Sequence, residues 1–291
     1  MSPSRVLPKR TLAEIVAKRR LEPETCDVFV EGFRDARLVR WVLVDLAAKL
    51  AVYPIERIDV PEAEVVRLGF ERNNRGRVMT LARSLADSGV DRRAACIVDV
   101  DLDIFVGSPI AGPLLLQTDY ASSDCYLFDP RVIEKAQALA LAALPDDPPE
   151  VLAKLAQVLV EVFLVRAADR VLDLNLGALD FTRVCEIAGT QIEFDRLEYV
   201  RRYLNRGGLL GRLQEFEDLV AQLRTRMPVD PRHTIHGRDF LDLLCWYLRR
   251  NGAEAIFCRP EALRGLLGAS LERDWLADEQ MFRRLREVAS T

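Results

Sequence analysis

In the stretch Ala94-Ala95-Cys96-Ile97-Val98-Asp99-Val100-Asp101-Leu102-Asp103, five apolar residues run straight into three aspartates spaced two apart. A continuous apolar run of this length suits a strand covered on both faces, as in a parallel sheet with helices on each side. While the chain stays extended past Val98, Asp99, Asp101 and Asp103 project from one face, because side chains alternate along a strand. Carboxylates crowded in this way repel one another unless a cation, protonation or water relieves them. All-oxygen ligation suits Mg2+ or Mn2+ better than zinc. The chemistry that such a cluster serves is metal-assisted phosphoryl transfer.

Working outward, Cys26–Val30 is a second apolar run, broken only by Asp27, and it ends in Glu31-Gly32. The apolar residues Leu38, Val39, Val42, Leu46 and Leu50 then recur at helical spacing, which predicts a helix over Asp35–Leu50. Ile55–Val60 reads as another strand, Arg75–Ser88 as a helix set off by Asn73-Asn74 and closed by Gly89, and Pro113–Gln117 as a fourth strand. Alternation of this kind predicts an α/β fold with a parallel sheet flanked by helices. It also puts Glu31 and Asp99 at carboxyl ends of strands, where open α/β sheets form their ligand crevice.

Beyond Pro130 the periodicity is helical: Arg131–Ala143, Pro149–Arg170, a block around Phe194–Asn205, Leu209–Arg226, Gly237–Asn251, and short helices near Pro260–Leu267 and Asp278–Val288. The expected division is a helical extension over residues 1–23, an α/β domain over 24–130 and a mainly helical domain over 131–291.

Glu31-Gly32-Phe33-Arg34-Asp35 resembles the E-G-x-x-D element of TOPRIM domains, and Asp99-Val100-Asp101-Leu102-Asp103 resembles their D-x-D-x-[DE] element. Residues 118–128, Thr-Asp-Tyr-Ala-Ser-Ser-Asp-Cys-Tyr-Leu-Phe, resemble a Y-S-I-E-N-Y-L-F stretch of bacterial defence-associated TOPRIM proteins, among them OLD-like nucleases and the toxin subunit of PARIS-type systems. Asp124 and Cys125 stand where glutamate and asparagine are usual. His236-Gly237-Arg238-Asp239 resembles an H-G-x-D turn in the same proteins. The resemblance implies a TOPRIM-like sheet with a helical C-terminal domain. It makes Glu31 a metal-organising general base, Asp99 and Asp101 metal ligands, Asp103 a supporting ligand, and Asp124 a further ligand candidate. Asp35 would orient a neighbour or hold the first turn of its helix. It further implies Mg2+ or Mn2+ as cofactor, DNA or RNA as substrate, a role in anti-phage defence, and restraint by a partner ATPase of the ABC type. A homodimer is an assembly compatible with it.

Each motif has a plainer reading as well. Glu31-Gly32 also fits a simple strand-to-helix turn, and Asp99–Asp103 a solvated acidic loop. His233 and His236, the only histidines, fit a proton carrier or phosphate contact near the site, with His236 the candidate, or equally a polar turn before a helix. Arg201, Arg202, Arg206, Arg212, Arg224 and Arg226 could track nucleic acid or merely solvate a helix face.

Composition sets the outer bounds. At 291 residues, 49% hydrophobic and 30% charged, the chain can bury a full core. Its most apolar stretches, Val151–Ala167 and Ala138–Leu144, are interrupted by charge or too short to span a bilayer, so no membrane association is expected. Residues 1–20 lack the apolar core of a signal peptide, which places the protein in the cytoplasm. Six scattered cysteines without a C-x-x-C pair read as reduced, buried residues. A net charge of −4 argues against indiscriminate coating of nucleic acid, and the scarcity of lysine, five among 41 basic residues, carries little weight. The expected function is therefore a metal-dependent nuclease, and the alternative is a non-catalytic TOPRIM-fold binding or sensing subunit.

Overall fold

The computed structural model describes residues 9–90, 93–107, 112–141 and 144–290. In chain order its elements are α1 (Leu12–Leu21), β1 (Cys26–Val30), α2 (Phe33–Val42), β2 (Leu50–Pro54), α3 (Glu62–Arg67), α4 (Asn74–Asp87), β3 (Ala94–Val98), α5 (Asp103–Val106), β4 (Leu115–Gln117), α6 (Pro130–Leu139), α7 (Pro148–Val171), β5 (Cys185–Ala188), β6 (Gln191–Phe194), α8 (Arg196–Arg206), α9 (Leu213–Arg224), α10 (Gly237–Arg250), α11 (Pro260–Ser270), α12 (Arg273–Leu276) and α13 (Gln280–Ser290). The chain forms two compact units. One comprises Met1–Val100, Pro109–Asp119 and Arg273–Thr291, and the other Asp101–Ser108 and Tyr120–Glu272. The chain passes between these units four times, and none of the passages lies at the division expected after residue 130. Residues 1–8 of the expected N-terminal extension, and residues 142–143 at the end of the helix expected over Arg131–Ala143, lie outside the described residues.

The first unit is built on a four-stranded, all-parallel sheet in the order β2-β1-β3-β4. Every residue of β1 and β3 is buried, as expected for central strands covered on both faces. On one face Phe29, Cys96 and Val98 pack with Ile15 of α1 and with Val78, Leu81 and Leu85 of α4. α2 packs on β1 and β2, α12 on α2, and α13 on β3.

Asp27, the one polar residue of β1, is 1% exposed and meets Lys18 Nζ at 2.6 Å, tying α1 to the sheet. Burial alone would depress the Lys18 ammonium, but the Asp27 carboxylate outweighs it and holds the group above its ordinary value.

Two expectations are corrected here. The helix begun after Gly32 ends at Val42, a 3-10 turn follows over Val44–Leu46, and Leu50 opens β2 rather than closing a helix. Leu46 and Leu50 keep helical spacing, but the ladder from Leu50–Pro54 to β1, with Tyr53 stacked on Phe29 at 5.6 Å between centroids, takes the second half of that segment into the sheet. Nor is Ile55–Val60 a strand. Ile55 and Ile58 are both fully buried three residues apart, which is the spacing of the 3-10 turn Ile55–Arg57 and not of a pleat. The helix expected over Arg75–Ser88 is α4, shifted by one residue, and the strand expected over Pro113–Gln117 contracts to β4.

The second unit is mainly helical. α7 packs against α6, α9 and α10, and α10 against α11. It is not wholly helical, because Cys185–Ala188 and Gln191–Phe194 pair antiparallel across the two-residue loop Gly189-Thr190, with Gly189 at φ +62°. Arg166 of α7 reaches Asp239 of α10 with Nη2 to Oδ1 at 2.7 Å and Nη1 to Oδ2 at 2.7 Å. No helix among the described residues is long and apolar enough to cross a membrane. All six cysteines are buried and none is in a disulfide.

Candidate functional site

The sheet of the first unit carries an acid just beyond each strand: Glu56 after β2, Glu31 after β1, Asp99 after β3 and Asp119 after β4. Because the four strands are parallel, all of these lie toward the carboxyl edge. Glu31 and Asp99 follow neighbouring strands in register, Val30 opposite Ile97, and they meet: the Asp99 amide donates to Glu31 Oε1 at 2.9 Å. Glu31 is also held through its backbone, since Asn74 Nδ2 donates to its carbonyl at 2.9 Å and to Glu56 Oε1 at 3.2 Å.

Asp35 accepts the Gly32 amide at 2.9 Å and so holds the start of α2, the helix-starting role expected for it. Asp119 is committed to packing, its carboxylate accepting the Met281 amide of α13 at 3.1 Å. Thr118 closes the other side of the edge, with its hydroxyl accepting the Val100 amide at 3.2 Å.

The remaining expected site residues belong to the second unit. Asp99, Asp101 and Asp103 do not share one extended face, because β3 ends at Val98 and the chain turns. Asp101 adopts φ +49°, its amide donating to the Ala121 carbonyl at 2.8 Å, and Asp103 opens α5 and is 8% exposed. Aspartate is among the few non-glycine residues that tolerate this left-handed conformation. Period-two alternation presumed that the strand continued, and the acidic run itself supplies the turn that ends it.

Asp124 lies in the 3-10 turn Ser123–Leu127 and is paired with Arg264 at 3.1 Å, so its charge already has a guanidinium partner. Cys125 is buried, with Sγ 3.3 Å from Ser122 Oγ. His236 immediately precedes α10, and its Nδ1 is buried without a hydrogen-bond partner. Gly237 is packed so closely that a Cβ there would fall 2.3 Å from Asp124 Cβ and 2.8 Å from Ser122 Oγ. The turn 122–124 and the His236-Gly237 element, far apart in sequence, are thus brought together within this unit. His233 instead lies against the Tyr120 ring, 5.3 Å between centroids.

Of the six arginines that could track nucleic acid or solvate a helix face, three are paired with carboxylates of the chain: Arg202 with Glu198, Arg212 with Glu215 and Arg224 with Glu161. Among the described residues, no three His, Cys, Asp or Glu side chains are grouped so as to hold a metal ion. Glu31 and Asp99 nevertheless offer a pair of hard oxygen donors of the kind Mg2+ and Mn2+ favour.

No protein-family model matches the chain, and no curated protein sequence matches it. The assignment of function therefore rests on the site.

Sequence reasoning passed over two members of the carboxyl edge. Asn74 was legible only as a turn residue, and Glu56 follows a strand whose position was misjudged. A signal was present for the second: Val52, Pro54 and Ile55 are apolar and lead directly into an acid, as in the other strands.

Proposed function

We propose that this chain is a metal-dependent nuclease of TOPRIM type, hydrolysing phosphodiester bonds in DNA or RNA. The observation that carries the reading is the Asp99 amide on Glu31 Oε1, because it unites the two acidic motifs at the carboxyl edge of adjacent parallel strands. Glu31 is the general base and Asp99 a ligand for Mg2+ or Mn2+, and the resemblance adds Asp101 and Asp103, next along the chain, as further ligands. When bound, such a cation neutralises phosphate charge and lowers the pKa of water. The protein's own contribution is to fix Glu31 at both ends, through its carbonyl and its carboxylate, so that it accepts a proton without first reorganising. A role in anti-phage defence, with an ABC-type ATPase as regulating partner, follows from the same resemblance.

A second reading, a binding or sensing subunit that does not cut, is favoured by the pairing of Asp124 with Arg264, which engages one of the expected ligands. Cleavage of plasmid DNA, single-stranded DNA and total tRNA with Mg2+ or Mn2+ separates the two. The nuclease reading expects metal-dependent cutting that falls at least about a hundredfold in Glu31→Ala and Asp99→Ala. Absence of cutting by the wild type, with a partner ATPase from the native host supplied, overturns it. A Glu31→Ala chain that keeps its biological effect establishes the binding subunit.

A further inference from the structure

We propose that Asn74 is the positioning residue of Glu31, and that Glu56 sets the orientation of Asn74. The inference rests on the metal-site reading of Glu31 and Asp99 given above and extends it to two residues that no motif singles out.

Asn74 is the first residue of α4, yet it does not cap that helix; Asn73 does, accepting the Gly76 amide at 2.8 Å. The Asn74 side chain is turned instead to the sheet edge. Its Nδ2 donates both to the Glu31 carbonyl and to Glu56 Oε1, while its Oδ1 faces Arg77 Nη1 at 3.4 Å. Arg77 is itself anchored on the Ile55 and Ile58 carbonyls at 3.1 and 2.9 Å. With a donor at Arg77 and acceptors at Glu31 and Glu56, only one orientation of the amide satisfies all three neighbours.

The start of α4 is equally fixed. At Gly76 a Cβ would lie 2.0 Å from the Glu71 carbonyl oxygen, so only glycine lets the turn before the helix close this tightly. Asn74 is thereby delivered to the ends of β1 and β2 at once. Glu56 contributes an acceptor at 3.2 Å, and its Oε2 is buried without a hydrogen-bond partner, so its placement is not explained by a bond of its own elsewhere. A polar side chain in that setting is costly unless it serves its neighbours.

The consequence for the site is mechanical. The Glu31 carboxylate reaches the Asp99 amide only if the Glu31 backbone is held at the right height above the strand end, and Asn74 is the side chain that holds it. Outer contacts of this kind set the aim of a ligating carboxylate and change metal affinity by about 10- to 100-fold when removed.

The test uses the full chain with three substitutions. Asn74→Ala removes the side chain, Asn74→Asp keeps its shape but removes its donors, and Asn73→Ala weakens the same helix start without touching Glu31. Amide hydrogen exchange at Asp99, read by NMR relative to the buried amides of β1, reports directly on the hydrogen bond to Glu31. Exchange about fivefold or more faster in both Asn74 variants, and unchanged relative to β1 in Asn73→Ala, is the expected result. Titration with Mn2+, followed by the EPR signal of the free ion, is expected to show affinity about tenfold weaker in both Asn74 variants alone. Asp99 exchange in Asn74→Ala equal to that of the wild type overturns the proposal, as does an equal loss in Asn73→Ala. A wild type that takes up no Mn2+ refutes the metal reading instead, and the exchange comparison then decides the role of Asn74 by itself.

Discussion

Removing the carboxylate of Asp239 should be among the most damaging single changes to the second unit. Asp239 accepts both terminal nitrogens of Arg166 at 2.7 Å, with side-chain exposures of 5% and 19%. In Asp239→Ala the guanidinium on α7 keeps its burial and loses its counter-charge, which for a fully buried pair costs about 3–5 kcal/mol. Arg166 retains some access to water, which favours the lower bound. Asp242, one turn further along α10, offsets a little more. Its carboxyl is held above the ordinary range by burial and then by the charge of Asp239, so it ionises more readily once Asp239 is gone. The expected loss is about 2–3 kcal/mol. Urea denaturation followed by circular dichroism measures it, provided the slope of the transition is unchanged. Arg166→Met combined with Asp239→Leu should recover most of that loss, because the pair's desolvation is then removed with its attraction. A loss below about 1 kcal/mol in Asp239→Ala, or a double variant as unstable as the sum of the single ones, refutes the view that this pair pins α10 to α7.

Gly237→Ala should destabilise by about 2 kcal/mol or more, since its methyl group would lie 2.3 Å from Asp124 Cβ; a thermal melt within a degree of the wild type contradicts the close packing. Asp101→Gly should leave stability within about 1 kcal/mol, the relief at φ +49° being offset by the greater freedom of glycine in the unfolded chain. The same variant should abolish metal-dependent cleavage, and retention of full cleavage would remove Asp101 from the site. In alkali, burial and then the Asp27 charge push the Cys26 thiol up from 9.0 to about 11. A raised value contributes stability that is whole below the ordinary thiol range and lost as pH climbs through the folded one. Stability should therefore fall between about pH 9 and 11, and Cys26→Ala should remove that part of the fall, as read from urea midpoints. Lys18, also raised, adds a decline above the ordinary lysine range, and Asp27→Asn should flatten it.

The two central strands were legible to the residue, because Cys26–Val30 and Ala94–Val98 are apolar runs whose burial on both faces leaves no competing reading. α4, α7 and α10 likewise followed from periodicity and from Asn73, Pro148 and Gly237 at their starts. What failed were places where a local pattern was overruled by a partner distant in sequence. Leu50 keeps step with α2 but pairs with Cys26, and Ile187 and Ile192 pair across a hairpin that is short beside the surrounding helices. In the site, the meeting of Glu31 with Asp99 was expected from the TOPRIM resemblance alone, because periodicity places strands along the chain without giving their order in the sheet. The turn at Asp101 was not, because period-two spacing says nothing about where extension stops. Asn74 was invisible for another reason: its partners are a main-chain carbonyl and a carboxylate 43 and 18 residues away.

The sheet-bearing unit has a further property that concerns how it comes into being. Its strands are all complete by residue 117, yet α13, whose first turn is held by Asp119 and whose Arg286 pairs with Asp45, is drawn from residues 280–290. A nascent chain halted anywhere between these positions carries the four strands with α4 on β3 but without α13, while the intervening 153 residues of the second unit, Tyr120–Glu272, are made in between. The carboxyl edge is thus presented by a sheet that carries α13 only after the whole of Tyr120–Glu272 has been made. A fragment ending near residue 130 should behave as a chaperone client rather than as a domain.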